Sequence, residues 1–317
     1  MSPAPGTVAV IGAGSIGKRH AGNLERLGAE VRLIPYREFS AETLRRIPGL
    51  GAVVIATATQ IRLDLIAQCA ELGLPFYAEK PLAWTPAQAE AIHAAAAPVA
   101  ERSMVGFMMR YHPAVLDLAR RDLSQVYSFS FEIGHDVRQW RPNWRFGDSY
   151  AALPEGGGVL LDLCHELDMA LALFPGLELG RCDSLGHAEY PGVDFATTAQ
   201  LAAPGGPMGQ VEMDYLSPVS TRRAVLRGLD ARVEIDFLRP VVVESRPGAG
   251  PVETPYGFDR NDMFLDAMRD FLALARGAAP SDNPLLPRFD RMRRSTALIA
   301  EAWSSRQIGG TVAIDMG

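Results

Sequence analysis

Val8-Ala9-Val10-Ile11-Gly12-Ala13-Gly14-Ser15-Ile16-Gly17-Lys18-Arg19-His20 is the stretch on which the fold turns. Four apolar residues lead into Gly12-x-Gly14-x-x-Gly17, and an amphipathic segment follows. This is a buried strand, a tight turn and a helix start, in the order a dinucleotide site needs. Gly12 permits the sharp turn, Gly14 leaves the backbone open to a pyrophosphate, and Gly17 lets the helix lie close on the strand. The helix start adds free N–H groups and the positive end of its dipole. Gly12, Gly14, Ser15, Ile16 and Gly17 are therefore the expected phosphate-side contacts.

Working outward, strand and helix patterns alternate. Strands are expected at 30–36, 52–56, 76–78 and 103–107, with helices at 41–46, 62–72 and 86–97 between them. The 52–56 run is continuously apolar, as a strand covered on both faces should be. Helical crossovers between strands argue for a doubly wound parallel sheet. Its ligands bind at the C-terminal strand ends, so the loops after Ile11, Tyr36, Ala56, Ala78 and Phe107 should line a cofactor cleft. After about Leu118 the pattern changes. A strand is expected at 125–133, then a loop rich in Arg, Trp and Pro, then Gly156-Gly157-Gly158 before one helix at 159–174. Strands separated by Pro and Gly turns follow to Glu244, and two helices, 260–276 and 288–304, come near the end. The expected class is α/β: a Rossmann doubly wound parallel sheet over 1–118, then an α+β domain over 119–317 with a large, mostly antiparallel open sheet. That open sheet needs cover, and a homodimer or homotetramer would supply it.

The chain has 317 residues, 48% hydrophobic and 21% charged, with a net charge of -6. That balance fits a soluble globular protein and offers no basic field for nucleic acid or membrane. Cys69, Cys164 and Cys182 are scattered, so neither a disulfide framework nor a zinc site is expected, and no metal is assigned. No apolar run approaches the roughly 20 residues of a membrane span. With no secretion pattern at the N-terminus, a cytoplasmic protein is expected.

At the end of the second strand stands Tyr36-Arg37, where an NAD site usually places a carboxylate for the ribose hydroxyls. Arg37 can pair with a 2′-phosphate and either side chain can stack on adenine, which favours NADP over NAD. Ala78-Glu79-Lys80-Pro81 ends the fourth strand. Lys80 there would point toward a nicotinamide and could hold the reacting oxygen and its proton, while Pro81 fixes the turn, as a cis or a trans peptide.

These features together resemble the glucose–fructose oxidoreductase / inositol dehydrogenase / MocA (Gfo/Idh/MocA) family. The matching residues are Gly12 to His20, Ala56-Thr57, Glu79-Lys80-Pro81, Gly106-Phe107 with Arg110 and Pro113, and Gly156-Gly157-Gly158 with Asp162, His165 and Asp168. The resemblance spans about the first half of the chain. It implies a nicotinamide cofactor, a sugar, polyol or nucleotide-sugar substrate, and a catalytic role for Lys80. The family spaces its catalytic Asp and His as D-x-x-x-H, whereas this chain reads Asp162-Leu163-Cys164-His165-Glu166-Leu167-Asp168. In a continuous helix both His165 and Glu166 share the face of Asp162. His165 is preferred as acid/base because an imidazole titrates near neutrality. Asp162 and Glu166 are like charges that need a cation, for which Lys80 and Arg110 stand ready.

Arg138-Gln139-Trp140-Arg141-Pro142-Asn143-Trp144-Arg145, followed by Tyr150, is composed to read an acidic sugar or sugar nucleotide, since arginine forks hold anions and tryptophan stacks on sugar rings. With the His165-Glu166-Leu167-Asp168 variant it is similar to family members of surface-glycan biosynthesis. Arg110, Arg138, Trp140, Arg141, Arg145, Tyr150 and Glu166 are the expected substrate contacts. The expected function is hydride transfer between NAD(P) and a secondary alcohol or ketone of such a carbohydrate. Lys80 and His165 would manage the proton, and Asp162 would orient one of them. A lyase or glycosidase that retains its NAD, and a ligand-sensing regulator without turnover, are the rival readings.

Overall fold

The computed structural model describes residues 6–140 and 145–316. Its first sheet holds β1 (Thr7–Ile11), β2 (Val31–Ile34), β3 (Leu50–Ile55), β4 (Phe76–Ala78) and β5 (Met104–Val105), all parallel, in the order β2-β1-β3-β4-β5. Strand order reverses between β1 and β3, which sets the switch point at the C-terminal end of β1, where the glycine turn lies. The helices associated with this sheet are α1 (Ser15–Arg26), α2 (Arg62–Glu71) and α3 (Pro86–Ala96). The segment expected as a helix at 41–46 forms only a short 3-10 turn over Leu44–Arg46.

A second sheet of nine strands contains β6 (Val126–Gly134), β7 (Glu178–His187), β8 (Tyr190–Ala202), β9 (Met208–Asp214), β10 (Thr221–Gly228), β11 (Arg232–Asp236), β12 (Val241–Ser245), β13 (Val252–Pro255) and β14 (Gln307–Val312). Most neighbours are antiparallel, but β6 pairs with β9 and β14 pairs with β7 in parallel. β6 alternates strictly enough to bury Phe129, Phe131 and Ile133 on one face. Phe129 stacks there on Phe174 at 5.1 Å. Five further helices stand among the described residues: α4 (Pro113–Ala119), α5 (Val159–Asp162), α6 (His165–Leu173), α7 (Arg260–Ala275) and, before β14, α8 (Arg293–Ser305). The single helix expected over 159–174 is thus two, broken at Leu163-Cys164.

The chain divides into two compact units. One holds the chain through Ala83, Ala87–His112 and Asp259–Thr296; the other holds Trp84–Pro86, Pro113–Phe258 and the chain from Ala297. The first unit therefore closes near the expected boundary but regains a C-terminal piece that the linear split at 118 assigned elsewhere. The cause is α7. A capping box on Asp259 starts it, and its apolar stripe, Met263, Phe264, Ala267, Met268 and Phe271, is buried. Asn261 exchanges two side-chain hydrogen bonds with Asn23 of α1, at 2.8 and 3.2 Å, and Phe264 packs on His20 and under Arg19.

Candidate active site

At the first turn, each glycine meets a different demand. Gly12 sits at φ 107°, and a Cβ there would lie 2.3 Å from the Ala56 carbonyl oxygen; a Cβ on Gly17 would lie 1.8 Å from the Gly12 carbonyl oxygen. Gly14 has an ordinary φ of -71°, and nothing stands within 4 Å of where its Cβ would be. Neither strain nor packing calls for glycine at that position, so the open space over it suits an approaching phosphate. No side chain caps α1, its first turn carries no acidic residue, and Ser15 and Ile16 are accessible. These residues fit a dinucleotide.

Beyond β2, Tyr36 stacks on Phe39 at 6.1 Å, and Arg37 extends into solvent with its nearest ion-pair partner, Glu38, at 3.5 Å. Ala56 and Thr57 are half-buried at the end of β3; the Ala56 N–H donates to the Ile11 carbonyl, and Arg62 donates to the Thr57 carbonyl at 2.8 Å. Glu79 was expected to touch the cofactor, but the structure buries it. His20 Nε2 lies 2.7 Å from its Oε1, and Gly106 leaves room for the carboxylate. Burial pushes the Glu79 pKa up, but the His20 hydrogen bond and the charges of His20, Lys80 and Arg62 outweigh it and hold the group below its ordinary value. Lys80, next along the chain, is half-buried, and the Lys80–Pro81 peptide is cis. Arg110 is buried within the same unit, donating to Ser295 Oγ at 3.0 Å and to the Leu285 carbonyl at 3.3 Å beside the Phe107 ring.

In the second unit the polar residues converge on α5 and α6. Asp162, the last residue of α5, accepts hydrogen bonds from Tyr150 on Oδ1 and from Tyr215 on Oδ2, the latter at 2.9 Å. His165 opens α6 and is buried. Glu166 beside it is 1% exposed, and Arg222 of β10 donates from Nε to its Oε1 at 2.7 Å. Arg222 is thus a cation that faces this acidic helix, where Lys80 and Arg110 were the expected candidates. The partner comes from a strand 56 positions along the chain, beyond any local spacing rule. His135, just past β6, stacks on Trp140 at 4.9 Å and meets Tyr215 edge-on at 5.9 Å. Burial lowers the His135 pKa against the opposing pull of Asp162, Asp214 and Asp136.

The loop arginines are placed differently from one another. Arg138 forks onto Asp136, Nε to Oδ1 at 2.9 Å and Nη2 to Oδ2 at 2.7 Å, and holds that carboxyl below its ordinary pKa. Its guanidinium is engaged in fixing the chain past β6. Arg145 is exposed at the start of the turn Phe146–Asp148. Arg141 lies outside the described residues. Among the described residues there is no cluster of His, Cys, Asp and Glu able to hold a metal ion, and no helix is long and apolar enough to cross a membrane.

No protein-family model matches the chain. It is 28% identical over 261 residues to scyllo-inositol 2-dehydrogenase (NAD(+)) of Bacillus subtilis, covering 73% of this chain and 74% of that one. It is 27% identical over 311 residues to the myo-inositol dehydrogenase Hyg17 of Streptomyces leeuwenhoekii, covering 87% and 90%. Its fold superposes on levoglucosan dehydrogenase in complex with NADH and levoglucosan with a TM-score of 0.76, at 19% identity and over 94% and 96% of the two chains. The two relatives are named as inositol dehydrogenases, in keeping with the resemblance to the Gfo/Idh/MocA oxidoreductases that the motifs carry.

The short Asp162-to-His165 spacing has a structural counterpart. The helix break at Leu163-Cys164 ends the continuous-helix argument that put Glu166 and His165 on equal terms. Glu166 is taken up by Arg222 instead. Sequence reasoning passed over Tyr215, Arg222, Asp136 and His135. Each stands at a strand end or within an edge-to-centre strand, where nothing in its neighbours sets it apart from an ordinary sheet residue.

Proposed function

We propose that this protein is an NAD-dependent dehydrogenase that oxidises a secondary alcohol of a neutral sugar or polyol. The observation that carries this reading is the open space over Gly14 beside the uncapped start of α1. Gly12 to Gly17 would hold the pyrophosphate, and a bound nicotinamide supplies the hydride acceptor. Lys80 would take the hydroxyl proton as the C–H hydrogen leaves as hydride, His165 would relay that proton, and Asp162 would orient the exchange. The relatives named for inositol support a polyol, and the NAD(+) in the name of the Bacillus subtilis relative supports NAD. Glu38, beside Arg37, opposes a 2′-phosphate, so the NADP preference expected from Arg37 finds no support.

An acidic sugar was expected from the arginine loop. Arg138 is engaged by Asp136 and Arg222 by Glu166, so two described cations of this region already hold carboxylates, while Arg145 is exposed. This favours the neutral substrate over surface-glycan chemistry. A homodimer or homotetramer belongs to the same reading, supported by the exposed Leu185 of β7 and Ile308 of β14 on the open sheet.

The test is NAD+ and NADP+ titration, followed by NADH formation over a panel of inositols, neutral sugars, uronic acids and sugar nucleotides. Stoichiometric NADH with a neutral polyol is expected, and Lys80→Ala should lose about 10²- to 10⁴-fold in turnover while still binding NAD+. Product without net NADH would establish a lyase or glycosidase, and binding without any turnover a regulator. Preference for a uronic acid would overturn the neutral-substrate assignment.

A further inference from the structure

Two phenols close on the carboxylate of Asp162. Tyr150 reaches Oδ1 from the 3-10 turn Tyr150–Ala152, and Tyr215 reaches Oδ2 from just beyond β9. They differ in setting. Tyr150 is 47% exposed, whereas Tyr215 is 0% exposed inside a cage of Trp140, Phe146, Phe195 and His135, whose rings lie 5.7 to 5.9 Å from its own. Phenylalanine would fill that cage as well. The hydroxyl therefore serves its polar partners: Asp162 at 2.9 Å and, at 3.3 Å, the carbonyl of Gly158 at the start of α5. A phenol donating to a carboxylate makes a charge-assisted hydrogen bond.

We propose that Tyr215 is a positioning residue of the dehydrogenase reaction, fixing Asp162 through Oδ2, while Tyr150 holds Oδ1 on the side from which substrate enters. The assignment rests on the dehydrogenase reading. Burial, followed by the charges of Asp162 and Tyr150, pushes the Tyr215 phenol well above its ordinary pKa, so it stays a donor at any working pH. With both oxygens of Asp162 occupied by donors, the carboxylate keeps one orientation.

Three variants test this: Tyr215→Phe, Tyr150→Phe and Asp162→Asn, with the Tyr215→Phe/Asp162→Asn double variant. Tyr215→Phe should lower kcat about tenfold or more, as expected for one charge-assisted hydrogen bond, with KM within about twofold of wild type. Tyr150→Phe should act on KM instead. In the Asp162→Asn background, Tyr215→Phe should add almost nothing. Wild-type kcat in Tyr215→Phe, or losses that multiply in the double variant, would overturn the proposal. A readout independent of substrate separates this from the function itself. Tyr215→Phe should lower stability to denaturant unfolding, and that loss should be clearly smaller in the Asp162→Asn background. If the loss behaves so but no alcohol is oxidised, the dehydrogenase reading fails and the clamp stands. If alcohol is oxidised and the loss is the same in both backgrounds, the clamp fails alone.

Discussion

At the glycine turn, every group expected to meet a pyrophosphate comes from six consecutive residues, Gly12 to Gly17. Around Asp162 the groups come from Tyr150, Asp162 itself, Tyr215 and, for its neighbour Glu166, Arg222. The turn works through backbone: N–H groups, a dipole and the absence of side chains. The Asp162 cluster works through side-chain pairs that exist only once β6, β9 and β10 have paired beneath α5 and α6. A local device of this kind tolerates or rejects change residue by residue. An assembled one responds to the loss of partners far along the chain.

The largest effect should come from breaking the assembled side. Arg222→Ala removes the ion-pair partner 2.7 Å from Glu166, whose side chain is 1% exposed, and should cost about 3–5 kcal/mol of stability by denaturant unfolding. Adding Glu166→Gln should recover a good part of it. A loss under about 1 kcal/mol would show that the cluster does not depend on this long-range pair. The glycine turn should split in two. Gly17→Ala places its Cβ against the Gly12 carbonyl and should destabilise the fold by about 1–3 kcal/mol. Gly14→Ala meets open space and should leave stability within about 0.5 kcal/mol while weakening NAD+ about tenfold or more. Equal effects of the two on stability would remove the distinction between packing glycine and ligand glycine.

The smallest effect sharpens the comparison inside the first unit, which has an assembled part of its own. His93 of α3 is buried, hydrogen-bonded with Thr296 at 2.7 Å and packed on Phe289 at 4.7 Å. Burial, with help from the Arg293 charge, lowers its pKa from 6.5 to about 4. The unfolded chain therefore takes up a proton at higher pH than the folded one does. Stability contributed by neutral His93 is complete above about pH 6.5 and declines as pH falls toward about 4. His93→Gln should flatten that part of the Tm–pH curve; an unchanged slope would assign it to other groups.

Several elements could be read directly from the chain. β1, the turn and α1 follow from an apolar run meeting three glycines, and β3 from its unbroken apolar composition, because each is specified by residues within one strand and one turn. The edges of the sheets were less legible. β14 pairs in parallel with β7 across more than a hundred residues, and its Gln-Ile-Gly-Gly-Thr-Val composition carries little strand signal. α7 was correctly placed as a helix near 260–276 but assigned to the wrong unit, since its amphipathic stripe reports a buried face and not which surface buries it.

The sequence by itself determined the Rossmann half and carried the resemblance to the Gfo/Idh/MocA family, because the glycine spacing, Glu79-Lys80-Pro81 and the Asp162–His165 run are short-range patterns whose chemistry is carried by neighbours. Only the tertiary structure decided what Glu79 and Glu166 do. Each carries a charge that must find a partner when water is removed, and the partner depends on how distant segments pack. Glu79 took His20, and Glu166 took Arg222. A charged side chain in a linear sequence announces a need for a counter-charge; which one satisfies it is settled by the packing that brings distant segments within about 3 Å.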